Sequence, residues 1–386
     1  MIYLDAAATA PVRREVLEAM WPYLTGDFGN PSSHHGVGES AARALADARA
    51  AVAAWLGCRA SEVVFTSGGT EADNLAVKGI ALANPRGRHV VTTPIEHEAV
   101  LESVDHLVRL HGFSVTFVPV GRDGLVAPDD FAAALRPDTT LASVMLANNE
   151  VGTVQPVAEL AALAHEHGIP FHTDAVQAAG WLPLDVGTLG VDALSVSGHK
   201  LGAPKGIGAL FVRGRIPLEP VLHGGGQERG RRSGTENVAG AVGLATAARL
   251  AADGLAERAA AAAAARDAFV AAVLAEAPGA ELTGHPTERL PGTASFVFPG
   301  VNGEAVLLEL ERRGVVSSSG SACAAGSEDA SHVLLALGYP EDVARTAVRF
   351  SWGPDVTAER LAAVGPAVGE AVRAVSRLGD GPRGAH

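Results

Sequence analysis

The stretch EVVFTSGGTEADNLAVKGI, residues 62–80, places the apolar run Val63, Val64 and Phe65 directly before Ser67, Gly68, Gly69 and Thr70, with a helical pattern starting near Glu71. Glycines let a backbone approach a ligand closely, and free N–H groups at a helix start attract an anion, so this turn reads as a phosphate cradle containing Gly69 and Thr70. The same residues also make a plain helix N-cap, and the turn alone does not choose between the two. Outward from it the alternation continues. Residues 62–66, 89–93, 114–118, 141–146, 170–174, 193–196 and 208–212 read as strands, most of them separated by one helical pattern. That order predicts an α/β fold, a mostly parallel seven-stranded sheet covered by helices. In such sheets ligands sit beyond the carboxyl ends of the strands, so polar residues just after strands are the first functional candidates.

Two more segments supply them. PFHTDAVQAAG, residues 170–180, ends a strand at Asp174, with Gln177 three positions on. A carboxylate fixed there can keep a pyridine nitrogen protonated, although a lone Asp is as readily a helix cap. DALSVSGHKLGAPKGIGALFV, residues 192–212, ends a strand at Ser197 and then offers His199 and Lys200 in a glycine-rich loop. A desolvated lysine at the mouth of a sheet can form a Schiff base with an aldehyde, whereas Lys205 reads as an ordinary loop lysine. A phosphate cradle, an Asp and a Lys, each following a strand of one sheet, describe a pyridoxal-phosphate site together better than any does alone.

The bulk properties agree. A chain of 386 residues exceeds what one core usually organises, so two associated domains are expected. Residues 14–256 form the large domain, residues 1–13 and 257–378 a smaller α+β domain, and 379–386 a disordered tail. The alanine-dense stretch 236–277 predicts long helices between the two. Further strand and helix signals at 294–297, 304–313 and 346–351 furnish the small domain. A formal charge of −13 and the absence of a Lys/Arg stripe speak against a nucleic-acid partner. No apolar run reaches membrane-span length and no signal peptide is visible, so a soluble, cytoplasmic protein is expected. Two cysteines, Cys58 and Cys323, allow no disulfide framework and show no metal-ligand spacing. Cys323 lies among small residues, as a reactive thiol on a flexible loop would, while Cys58 reads as a bystander.

The motifs YLDAAATAPV (3–12), FGNPSS (28–33), FTSGGTEADN (65–74), IEHEAV (95–100), NNEVGT (148–153), HTDAVQ (172–177), SGHK (197–200), GGGQERGRRSGTEN (224–237), SSGSACAAGSED (318–329) and VRFSWG (348–353) occur in one order. In that order the chain resembles the cysteine desulfurases, class-V aminotransferase-like enzymes of pyridoxal-phosphate fold type I, over nearly its whole length. The resemblance implies that Lys200 holds the cofactor pyridoxal 5'-phosphate, that Asp174 partners its ring nitrogen, and that His97 stacks on the ring and assists proton transfer. Gln177 and Asn149 would lie at the phenolic oxygen, with Asn149 also near the substrate carboxylate. Gly69, Thr70, Ser197 and His199 would hold the phosphate, joined in a homodimer by Thr235 of the second subunit. Arg349 would hold the carboxylate of L-cysteine, with Asn30 in the same pocket. Cys323 would take the sulfur as a persulfide and pass it to an acceptor protein, an iron-sulfur scaffold or a thiolation protein. Ala10 stands where the family commonly has threonine, and Gly202 and Ala203 alter the loop after Lys200. The long segment after Cys323 resembles the branch with an extended catalytic loop. Selenocysteine lyase or aminotransferase chemistry on the same scaffold is the alternative.

Overall fold

The computed structural model describes residues 1–84, 86–320 and 330–379. Its strands are β1 (Ile2–Tyr3), β2 (Val63–Thr66), β3 (His89–Thr92), β4 (Ser114–Phe117), β5 (Thr139–Ser143), β6 (Phe171–Asp174), β7 (Ala193–Ser197), β8 (Gly208–Val212), β9 (Glu281–Leu282), β10 (Thr293–Val297), β11 (Val315–Val316) and β12 (Val348–Ser351). The large sheet runs β2-β8-β7-β6-β5-β3-β4. All its strands point one way except β8, which pairs antiparallel with both neighbours. The reason is the length of the β7–β8 connection. Residues 198–207 hold only the short turn Gly198–Lys200, and a parallel return needs a crossover of roughly a dozen residues or more. One expected boundary moves: residues 141–146 read as a strand, and β5 ends at Ser143. The chain nonetheless stays extended beside β6, with Val144 and Leu146 donating to the carbonyls of His172 and Asp174.

Strands β2, β3 and β5 to β8 are buried throughout, and only the edge strand β4 meets solvent. Helices on both faces explain why these strands read as continuous apolar runs instead of alternating ones. The helix Gly69–Ala83 covers one face with Leu75, Ala76 and Ile80, and Phe131, Leu160 and Phe171 fill the other. The alanine-rich stretch forms two helices, Val238–Ala252 and Leu255–Glu276, broken at Gly254, whose φ of 60° is left-handed. A separate apolar cluster surrounds the smaller sheet β12-β10-β9. Aromatics make up only 5% of the chain, yet Phe269 meets Phe296, Phe350 and Trp352 edge-on here, with centroids 5.2 to 6.1 Å apart. Leu4 is buried in the same cluster, because β1 pairs with β11. Among the described residues no helix is long and apolar enough to cross a membrane. The expected disordered tail, apart from Gly379 at the end of a helix, falls outside the described residues.

One polar contact pins the glycine-rich loop 224–237 to the sheet. Arg49 donates through Nη1 and Nη2 to both carboxylate oxygens of Glu228, at 2.6 and 2.7 Å, and Phe65 N–H donates to Glu228 Oε2 at 3.0 Å. The guanidinium lies 4.8 Å from the centre of the Phe65 ring. Both charged groups are buried, and Glu228 and Arg229 adopt left-handed φ values of 47° and 59° to reach this geometry. Removing one partner of a buried pair strands the other charge. Glu228→Gln is therefore expected to cost roughly 3 kcal/mol, read as a lower denaturation midpoint; an unchanged midpoint would mean that the pair contributes nothing.

Candidate active site

Because β2, β3, β5, β6 and β7 are parallel, their carboxyl ends reach the same edge of the sheet. A cavity of about 630 Å³ opens there, lined by Gly69, Thr70, His97, Asn149, Asp174, Gln177, Ser197, His199, Lys200 and Arg349. Ten of the residues singled out from sequence thus meet around one space. Gly69 begins its helix, and a Cβ on it would lie 2.8 Å from Val176 Cγ2 and 3.4 Å from Ser197 Cβ. Any side chain there would fill the cradle, which favours the anion reading of the turn over the plain cap.

Asp174 ends β6 at the cavity, and its Oδ1 accepts the Val176 N–H at 2.8 Å. Burial pushes its carboxyl up, and the nearby His97 and Lys200 pull it back toward the charged form. His97 is both a cap and a cavity residue: its Nδ1 accepts the Ala99 N–H at 3.0 Å at the start of the helix Glu98–His111. That bond assigns the ring proton to Nε2 in the neutral form. Lys200 Nζ donates to the carbonyls of Ala7 and Ala8, and Gln177 Nε2 donates to the Ala7 carbonyl at 3.0 Å. His199 Nδ1 meets Thr9 Oγ1 at 3.1 Å, and burial with Lys200 and Lys205 nearby pushes its ring down to about 4, so it is neutral at physiological pH.

Arg349 is 2% exposed, on β12. Nη2 donates to Asp5 Oδ1 at 2.8 Å, Nη1 donates to the carbonyls of Asn149 and Gly320, and among the described residues Nε has no acceptor. Two sequence candidates are not in this wall. Asn30 is exposed and spends its Oδ1 on the Ser32 N–H, closing the turn before the helix Gly36–Leu56. Thr235 is exposed on the loop that Glu228 anchors. Cys323 lies outside the described residues. Cys58 is half-buried, and burial, with Glu62 adding to it, pushes its thiol up to about 11, which leaves it unreactive.

Sequence reasoning missed a second layer of titratable groups. Asp73 is buried and lines the cavity, one helical turn below Gly69. His172 lies two positions before Asp174 and is buried on the same strand; its Nε2 is 3.7 Å from Asp73 and 3.0 Å from Ser195 Oγ, and its Nδ1 is 2.8 Å from Ser143 Oγ. Burial pushes His172 down to about 3, so it stays neutral. Burial and the charge of Asp174 push Asp73 up, and its Oδ1 has no hydrogen-bond partner. Two carboxyls this close in a dry site do not both ionise. Asp73, lacking the Lys200 charge that acts on Asp174, is the one that keeps its proton. The i, i+4 spacing of Gly69 and Asp73, and the period-two spacing of His172 and Asp174, were the available signals. Glu150, also in the wall, accepts from Ser331 Oγ at 2.5 Å.

Glu96 is wholly buried beside this layer, where Oε1 accepts from Thr93 Oγ1 and Met145 N and Oε2 has no partner. Burial raises its carboxyl from the ordinary 4.5 to about 8. The unfolded chain ionises this group first, so its contribution to stability falls as the pH rises from 4.5 through about 8. Glu96→Gln is therefore expected to gain thermal stability over the native chain as the pH is raised from 5 to 8. A difference in melting temperature that does not change across that range would refute a protonated Glu96.

Comparison with known proteins now bears on this geometry. The aminotransferase class-V family model matches residues 2–364. The chain is 46% identical over 381 residues to a protein of Methanosarcina thermophila named cysteine desulfurase IscS, spanning 98% of this chain and 94% of that one. It is 49% identical over 360 residues to the IscS-like cysteine desulfurase of Mycobacterium tuberculosis, spanning 92% and 91%. A solved NifS-like protein superposes with a TM-score of 0.89 at 37% identity, covering 96% of this chain and 98% of that one. Another, titled SspA in complex with cysteine, superposes at 0.82 with 38% identity, covering 92% and 99%. With the fold, the strand-end cavity and this full-length similarity in agreement, the chain belongs to the class-V aminotransferase family, among its cysteine desulfurases.

Proposed function

We propose that the cavity converts L-cysteine to L-alanine and that Cys323 receives the sulfur as a persulfide. The observation that supports this most is the meeting of an anion cradle, a buried carboxyl and a lysine at one sheet edge in a chain of the desulfurase family.

The cofactor of this family is pyridoxal 5'-phosphate, and the wall suits it. The open cradle at Gly69 and Thr70, with Ser197 and a neutral His199, would hold the phosphate; Asp174 would face the ring nitrogen, Gln177 the phenolic oxygen and Lys200 the aldehyde. When bound, this group withdraws electrons from the substrate's Cα through its protonated ring. Asp174 sustains that by holding a proton on the ring nitrogen, and a neutral Asp73 avoids competing for it. Lys200 Nζ would remove the substrate's Cα proton. His97 would offer Nε2 for proton transfer at the cavity. Arg349, which lines the cavity, binds the substrate carboxylate, with Asn149 beside it.

Cleavage at sulfur needs a nucleophile. The Cys323 thiolate forms the S–S bond as the substrate's C–S bond breaks, and the three-carbon fragment takes up protons and leaves as alanine. The persulfide then passes to an acceptor protein, an iron-sulfur scaffold or a thiolation protein. In our reading the active form is a cytoplasmic homodimer in which Thr235 completes the phosphate site of the second subunit. The chain divides into a cofactor domain at 14–256 and a smaller one from 1–13 and 257–378 that carries the Cys323 segment.

Purified protein loaded with pyridoxal phosphate and given L-cysteine and a reducing thiol is expected to release alanine and sulfide in equal amounts. Cys323→Ala should keep the cofactor's visible absorbance and lose both products by at least a hundredfold. Unchanged alanine release from that variant would refute the role of Cys323, and no alanine from cofactor-loaded native protein would refute the reaction, directing attention to selenocysteine or amino-group transfer.

A further inference from the structure

A second cavity, of about 290 Å³, adjoins the first, between the N-terminal segment, Arg258 and residues 352–356. That volume is near the lower end for small-molecule pockets, roughly 300 Å³ upward. Trp181 and Trp352 give it aromatic surface, and three arginines, Arg13, Arg258 and Arg360, line it against a single carboxylate, Asp355, which is exposed.

Among the described residues neither Arg13 nor Arg258 has a carboxylate within hydrogen-bond reach. There Arg258 donates to backbone carbonyls, of Asp253 at 2.7 Å, of Gly180 at 3.4 Å and of Ala251. The nearest carboxylate to Arg13 is Glu15, at 3.8 Å, beyond hydrogen-bond reach and 54% exposed. Burial and the neighbouring Arg13 hold the Arg258 guanidinium below its usual range against the opposing pull of Asp253, so the two cations repel each other at a partly dry wall. Half-buried like charges beside an aromatic void are stabilised by an anion. An apolar floor including Leu201 and Leu290 favours an anion with an apolar body over a bare one.

We propose that this cavity binds a small organic carboxylate, its carboxylate held by Arg13 and Arg258 and its apolar body against Trp181. Ala7, Gln177 and Lys200 belong to the walls of both cavities, and the Ala7 carbonyl accepts from both Lys200 and Gln177. The occupant therefore abuts the support of Lys200, the position of an effector.

The test titrates the full, cofactor-loaded chain with phenylacetate by calorimetry, with 2-phenylethanol as the uncharged analogue and inorganic phosphate as the bare anion. Saturable binding of phenylacetate alone is expected, at least tenfold weaker in Arg13→Gln and in Arg258→Gln. Trp181→Leu keeps both arginines and is expected to weaken binding too, so a folding defect in one variant leaves the proposal testable. No saturable binding, equal affinity in all three variants, or phosphate binding as tightly as phenylacetate would overturn it. Loss of binding in Arg349→Gln, with Arg13→Gln unaffected, would place the ligand in the reaction cavity and also overturn it.

Discussion

A carboxyl group taken out of water must find a compensating charge or keep its proton, and the sheet edge is arranged under that constraint. Asp73, Glu96 and Asp174 are all buried there, with a neutral His172 among them. Of the three, Asp174 is the one on which the Lys200 charge acts. The protein thus concentrates one negative charge at the cavity floor by withholding compensation from the other two carboxyls. The apolar strands make the discrimination sharp, since a wetter edge would let all three ionise.

The same apolar strands made much of the fold readable. All seven strands of the large sheet were visible as β-rich runs bounded by turn residues, six of them buried throughout and β4 partly exposed, and the cradle, Asp174 and Lys200 followed because function gathers at strand ends. The return of β8 against its neighbours was not anticipated, although the short connection after Lys200 determines it. The boundary of β5 moved because ladder pairing stops before the extended backbone does.

What stayed hidden depends on distance along the chain. Arg349 was picked out, but nothing local announces that Asp5, 344 positions away, is its ion-pair partner. Asp73 and His172 look like helix and strand filler until the helix is laid on the sheet. Asn30 was placed in the pocket by motif likeness, whereas its side chain is committed to its own turn. Motif likeness transfers a residue's identity more reliably than its surroundings, which are made by neighbours that the motif does not contain.

The first ten residues do not behave as a terminus. Ile2 and Tyr3 pair with β11 in a two-stranded sheet, Asp5 holds Arg349, Ala7 and Ala8 receive Lys200, and Ala10 N–H donates to the His199 carbonyl. They form a strap stitched first to β11 and β12 and then to the turn that carries Lys200, so the lysine's resting place is set by a segment that also carries the arginine's counter-ion. Any shift between β12 and that turn is transmitted to both groups at once, and shortening the chain at this end would dismantle part of the reaction chamber instead of trimming an appendage.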